Sequence, residues 1–244
     1  MQITISIEDL TKQYGDKIVV DHVSLSIKEG ELFGLLGVNG AGKTTLIKML
    51  CGLTKPTSGL ATIVGKDIIQ QREQIKKVIA VSPQETAIAP NLTVRENLEL
   101  MAGIHGFSKK EMKEKIQYII EVFSLHPYEK QKSKTLSGGW QRKLSIALAL
   151  ITEPQILFLD EPTLGLDVLG RRELWAVIEQ LKKTTTIVLT THYLEEASSL
   201  CDRICVMKSG QVKAIGTVHE LIDMTKTQNF EDAFVEIVTK EAIL

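Results

Sequence analysis

The octapeptide Gly37-Val38-Asn39-Gly40-Ala41-Gly42-Lys43-Thr44 constrains this chain more than any other stretch. It follows the apolar run Leu32-Phe33-Gly34-Leu35-Leu36 and opens the amphipathic run Leu46-Ile47-Lys48-Met49-Leu50, so it joins a buried strand to a helix. Its glycines let the backbone wrap closely, so that several N–H groups point at one polyphosphate, and the helix N-terminus behind them adds partial positive charge. Lys43 then reaches the β- and γ-phosphates, and the Thr44 hydroxyl holds Mg²⁺. The fold class that hosts such a loop is α/β, with a mixed, mostly parallel sheet at its core.

At 244 residues, with 43 % hydrophobic and 24 % charged side chains, the chain can bury a substantial core. A net charge of −1 argues against a general polyanion binder, which needs a clustered basic surface, so no nucleic-acid partner is expected. No stretch approaches the ~18 apolar residues of a membrane span, and the first residues lack a secretory leader pattern. The chain is therefore expected in the cytosol or at the membrane periphery. Cys51, Cys201 and Cys205 are odd in number and lack the spacing of a metal site, so they read as buried thiols.

Ile3, Ile5 and Ile7 alternate with polar residues, as do Val23, Leu25 and Ile27, which predicts an N-terminal antiparallel β layer. Tyr14, between these strands, has two readings: packing, or a ring that stacks on a purine. Residues 61–64 and 78–81 read as strands, the second ended by Ser82-Pro83-Gln84. A loop glutamine is by default solvated, and only a wider constellation gives Gln84 a role. From 85 to 151 the character is helical. Thr93-Val94-Arg95-Glu96 and Ser108-Lys109-Lys110-Glu111 have capping-box spacing, and Met112, Ile116, Ile119, Ile120 and Phe123 form one core-facing stripe. Core strands flank this block, so it reads as an inserted α-helical subdomain. The expected boundaries are 1–84 and 152–224 for the nucleotide-binding core, 85–151 for the helical subdomain and 225–244 for a C-terminal extension.

Within the helical block, Ser137, Gly138 and Gly139 open a helix, a second place where a hydroxyl and backbone amides could hold an anion, although such a triplet is also a common turn. The run Ile156-Leu157-Phe158-Leu159-Asp160-Glu161 is a buried strand that delivers two carboxylates to the ligand-bearing edge of a parallel sheet. Strand alternation predicts that they point opposite ways, Asp160 toward a metal and Glu161 toward an attacking water. His192 ends the next β-branched strand, where packing does not require it. Residues 204–207 and 211–215 read as a hairpin. Phe230, Ala233, Phe234, Ile237 and Val238 form a last amphipathic segment, expected to dock on its own domain or a neighbouring copy.

In this order the motifs resemble the ATP-binding cassette family, specifically the nucleotide-binding subunits of ABC transporters, from Tyr14 to His192. The resemblance implies ATP and Mg²⁺ as ligands. It implies that Tyr14 stacks on adenine and that Gly37, Val38, Asn39, Gly40, Ala41, Gly42, Lys43, Thr44 and Thr45 hold the triphosphate. Gln84 would sense Mg²⁺ and the attacking water, Asp160 would support Mg²⁺ with Thr44, Glu161 would be the catalytic base, and His192 would contact the γ-phosphate. Ser137, Gly138 and Gly139 look like the family signature, whose ligand is the γ-phosphate bound to the opposite subunit, and Asp167 would lie in the loop that crosses the dimer interface. Two positions depart from the usual pattern: Val38 stands where Pro is frequent, and Trp140 replaces the Gln that commonly follows the signature glycines.

The implied partners are a second copy of the subunit and separate transmembrane permease subunits, which would hold the chain at the cytoplasmic face of the membrane. The ending Phe230-Glu231-Asp232-Ala233-Phe234 looks like the subgroup serving drug, antibiotic and polysaccharide exporters. The rival is a soluble cassette ATPase working on DNA or ribosomes. A single cassette, and a stretch from Gln84 to Ser137 too short for a long coiled coil, count against it. A phosphate-loop kinase is the more distant alternative and would have no use for Ser137, Gly138 and Gly139.

Overall fold

The computed structural model describes residues 2–239. Residues 240–244 of the expected C-terminal extension lie outside the described residues. The two alternating N-terminal runs form long antiparallel strands, β1 (Ile3–Tyr14) and β2 (Lys17–Lys28). After β3 (Leu32–Leu36) and α1 (Lys43–Leu50) the chain returns to that layer as β4 (Ser58–Ile63) and β5 (Lys66–Asp67), giving a sheet of order β2-β1-β4-β5. The short helix α2 (Arg72–Ile75) leads into β6 (Ile79–Ser82).

Three longer helices follow, α3 (Val94–Ile104), α4 (Lys109–Val122) and α5 (Gly138–Leu150), before the chain re-enters the core at β7 (Ile156–Asp160). Both predicted capping boxes form: Thr93 with Glu96 starts α3 and Ser108 with Glu111 starts α4. Then come α6 (Val168–Leu181), β8 (Thr186–Thr191), α7 (Leu194–Leu200), the hairpin β9 (Arg203–Lys208) and β10 (Gln211–Gly216), α8 (Val218–Thr225) and α9 (Phe230–Thr239).

The second sheet runs β10-β9-β3-β8-β7-β6. Its strands are parallel except for β10, which pairs antiparallel with β9. Every residue of β3, β7 and β8 is buried, as expected where both faces of a parallel sheet are covered. The two-residue strand period divides the core: Phe33, Leu35, Ile156 and Phe158 pack toward the antiparallel sheet and α1, against Ile5, Leu10, Val23 and Leu46. Leu32, Leu157 and Leu159 pack on the opposite face against Leu98, Ile120, Leu144 and Ile178 of the helices. Each such burial contributes about 1.5–3 kcal/mol, so the sheet is fixed from both sides and its strand ends are rigid platforms. A third cluster closes the C-terminal end, where Phe230, Ala233 and Ile237 of α9 meet Leu221, Ile204 and Val206. The last amphipathic segment therefore docks on its own chain.

Candidate functional site

The parallel strands deliver four loops to one edge. Register aligns Leu36 with Thr191, Asp160 with Thr190, and Ser82 with Leu159. The glycine-rich loop after β3, His192 after β8, Glu161 after β7 and Gln84 after β6 thus emerge side by side, at the carboxyl edge where open α/β sheets bind ligands. Asn39, Gly40, Ala41, Gly42, Lys43, Thr44 and Thr45 line a cavity of about 390 Å³ together with Gln84, Glu161 and His192.

The loop's shape depends on two glycines in particular. Gly42, the N-cap of α1, has φ +102°, and a Cβ there would lie 2.6 Å from the Val19 carbonyl oxygen. A Cβ on Gly37 would lie 2.4 Å from the Met207 carbonyl oxygen. Neither Gly37 nor Val38 lines the cavity; their carbonyls instead accept from Lys43 Nζ at 2.6 and 3.3 Å. The first bond of α1 runs from Leu46 N to Gly42 O at 2.9 Å. The amides of Lys43, Thr44 and Thr45 have no intrahelical acceptor and remain for an anion. Burial lowers the pKa of Lys43, opposed by the charges of Glu161 and Asp160.

Asp160 is buried, and its Oδ1 accepts from Thr44 Oγ1 at 3.1 Å and Thr190 Oγ1 at 2.5 Å. This hydroxyl–carboxylate pair is a hard oxygen donor set that suits Mg²⁺, which binds proteins through one or two carboxylates and takes its remaining ligands from phosphate and water. Among the described residues no group of three His, Cys, Asp or Glu side chains could hold a metal.

Glu161 stands just past the end of the strand. Strand β7 stops at Asp160, and Glu161 has φ +48°, with its N–H donating to Thr190 O at 3.1 Å and Thr190 Oγ1 at 3.0 Å. The left-handed backbone ends the strict two-residue alternation, and Glu161 lines the same cavity as the loop beside Asp160. A non-glycine residue held in that region is a strain that recurs at functional sites. His192 Nδ1 lies 3.3 Å from Glu161 Oε1 yet is a buried nitrogen without a hydrogen-bond partner. The imidazole thus stands on the cavity wall with its Nδ1 turned to the Glu161 carboxylate.

Ser137, Gly138 and Gly139 are not in this cavity. They line a separate one of about 380 Å³, with Trp140, Lys143, Leu166 and Asp167 among its other walls. Ser137 is the N-cap of α5 but makes no side-chain cap bond, so its hydroxyl remains available. Trp140 packs on Tyr128 with ring centroids 4.4 Å apart and carries Lys143 Nζ 4.1 Å above its ring, while Lys143 pairs with Glu173 at 2.6 Å. Asp167 caps α6, accepting from Gly170 N at 2.7 Å. Tyr14 also lies outside the loop's cavity. Its half-exposed ring reaches Thr54 Oγ1 at 3.3 Å and has Lys12 Nζ 4.6 Å from its centroid.

One residue of the site was missed from sequence. Arg142, buried on α5, donates to the carbonyls of Pro83, Gln84, Asp160 and Pro162 at 2.5, 3.0, 2.8 and 2.8 Å. Burial lowers its pKa to about 10, so it stays charged at neutral pH, with Asp160, Glu196 and Glu161 helping to hold the proton. An arginine on the inner face of a predicted helix was the one signal available.

The fold and the glycine-rich loop define a nucleotide-binding P-loop domain with an inserted helical block. The chain belongs to the ABC transporter family, whose pattern it matches over residues 20–164. It is 38 % identical over 243 residues to the probable multidrug ABC transporter ATP-binding protein YbhF of Escherichia coli strain K12, covering 97 % of this chain and 42 % of that protein. It is 41 % identical over 220 residues to the Nod factor export ATP-binding protein I of Rhizobium etli, covering 90 % of this chain and 70 % of that one. Thus the chain spans less than half of the first relative's length. Among solved structures, the ATP-binding subunit of an ABC transporter matches with TM-score 0.85 and 30 % identity, over 96 % of this chain and 99 % of that one. A dimeric post-hydrolysis state of the ATP-binding cassette MJ0796, bound to ADP and Pi, matches with TM-score 0.78 and 27 % identity, over 87 % of this chain and 98 % of that one.

Proposed function

We propose that this chain binds and hydrolyses ATP as the motor subunit of a membrane exporter, and that two copies close around two MgATP molecules. The observation that carries the reading is the convergence of Lys43, Thr44, Glu161, Gln84 and His192 on one cavity at the glycine-rich loop, with Asp160 bonded to Thr44 beside it. In this assignment the free amides of α1 and the Lys43 ammonium hold the β- and γ-phosphates. Tyr14 offers its exposed ring to the base. Thr44, Asp160 and Gln84 would hold Mg²⁺, which when bound neutralises charge on the β- and γ-phosphate oxygens.

Glu161 orients a water in line with the β–γ bridge and takes its proton as the water oxygen bonds to phosphorus. The bond from phosphorus to the bridging oxygen breaks, and ADP leaves. His192, on the cavity wall beside Glu161, meets the γ-phosphate or the water. Little covalent help is needed, because positioning and charge neutralisation lower most of the barrier.

The cavity at Ser137 explains why a second copy is needed. It shares no wall with the loop's cavity, so a phosphate held by one chain reaches this cradle only on another chain. ATP then favours the closed pair, and hydrolysis withdraws that preference. Among the described residues no helix is long and apolar enough to cross a membrane, so the motion is passed to separate permease subunits that hold the chain at the membrane's cytoplasmic face. Export is favoured by relatives described as multidrug and Nod factor export proteins. The test is Glu161→Gln: it should bind ATP, accumulate as an ATP-dependent dimer in sedimentation, and hydrolyse roughly 10²- to 10³-fold more slowly than wild type. A variant that turns over at the wild-type rate removes Glu161 from the role.

A further inference from the structure

A buried arginine is costly to desolvate, and an apolar side chain on the inner face of α5 would avoid that cost. Arg142 instead directs four hydrogen bonds at main-chain carbonyls from two separate segments of chain. Pro83 and Gln84 belong to the loop after β6. Asp160 and Pro162 bracket Glu161 after β7. The guanidinium has five N–H donors in a fixed plane, and four of these bonds are made at once, so it acts as a rigid bracket rather than a point charge. Five residues earlier on the same helix, roughly 7 to 8 Å along its axis, stands Ser137 at the mouth of the other cavity. The bracket therefore joins three things: the Gln84 loop, the strained turn at Glu161, and the helix that presents the serine-glycine-glycine cradle.

We propose that Arg142 is a positioning residue for ATP hydrolysis, locking the Gln84 loop and the Glu161 turn to α5 so that they keep register with Ser137. The inference rests on the ATPase reading above. Arg142 directs its bonds to main-chain carbonyls. It acts by fixing the backbone on either side of Glu161, whose left-handed conformation has to be held by its surroundings. Because α5 is one rigid rod, a partner's phosphate arriving at Ser137 is transmitted through Arg142 to both loops. A merely structural arginine would contribute stability without separating binding from turnover.

The experiment compares wild type, Arg142→Lys and Arg142→Gln in the full chain. It measures kcat and KM for MgATP, thermal unfolding, and amide hydrogen exchange in segments 83–87 and 160–166. Lysine keeps the charge and stem but loses the planar fork, while glutamine keeps an amide donor and loses the charge. The expected order of kcat is wild type, then lysine, then glutamine, with losses of about 10- to 100-fold, KM within about threefold, and faster exchange in both segments. Equal kcat per folded molecule, or KM rising in step with the loss of kcat, overturns the inference. So does failure of both variants to fold, which would make the residue structural. If wild type itself shows no hydrolysis, the ATPase reading fails separately. The exchange comparison still decides whether Arg142 holds the two loops, and unchanged exchange in Arg142→Lys sinks it.

Discussion

Glu196, on α7 four residues beyond His192, is fully buried; Trp175 Nε1 donates to its Oε1 at 3.2 Å, and its Oε2 has no hydrogen-bond partner. Burial raises its pKa above the ordinary 4.5. The folded state thus holds this proton more tightly than the unfolded chain does. The stabilisation that follows is complete below the unfolded value and is lost as pH rises through the folded one. Glu196→Gln keeps the shape and the acceptor for Trp175 without an ionisable proton. The variant should therefore gain on wild type in melting temperature as pH is raised above 4.5 and converge with it below. Parallel melting curves across that range would show that Glu196 does not carry the effect. At the same scale, Gly42 and Glu161 both hold positive φ beside the cavity, one because any side chain would strike Val19 and the other despite having one. The site is built from backbone conformations as much as from side chains.

At the scale of elements, the helical block is held by its own caps and its own apolar stripe, with Ile116, Ile119, Ile120 and Phe123 buried. Ser108 accepts from Glu111 N at 3.3 Å, and Glu111 answers with its carboxylate on Ser108 N at 2.9 Å. Ser108→Ala should cost about 1 kcal/mol in denaturant unfolding and leave ATP affinity unchanged, since α4 contributes nothing to either cavity. Such local devices were legible in the sequence because cap spacing, strand alternation and the glycine-rich loop each lie within a few consecutive residues. Arg142 was not legible, because its four acceptors come from segments some twenty and sixty residues away and are carbonyls, which every residue has. The left-handed turn at Glu161 was not legible for a related reason: alternation holds only while the strand lasts, and nothing in the sequence marked Asp160 as its last residue. Tyr14 was legible only as a motif position, and its half-exposed ring lies against Lys12 and Thr54.

On the scale of the whole molecule, the two cavities impose a symmetry argument. The turn between β7 and α6 places Leu164 on the wall of one and Gly165, Leu166 and Asp167 on the wall of the other, so adjacent residues serve two cavities that have no lining residue in common. In the proposed two-fold pair each loop would face the other copy's cradle, giving two equivalent composite sites from one self-complementary interface. The arrangement predicts complementation. Ser137→Arg blocks the cradle by bulk but leaves the loop whole; Lys43→Ala disables the loop and leaves the cradle. Neither variant alone has a complete site, so neither should dimerise with ATP in analytical ultracentrifugation. Mixed in equal amounts they form one complete site per heterodimer, and ATP should then drive a pair that contains one of each, detectable by differential labelling. Dimerisation of either variant alone to the wild-type extent, or none in the mixture when wild type pairs readily, would mean that the cradle of one chain does not serve the phosphate of the other.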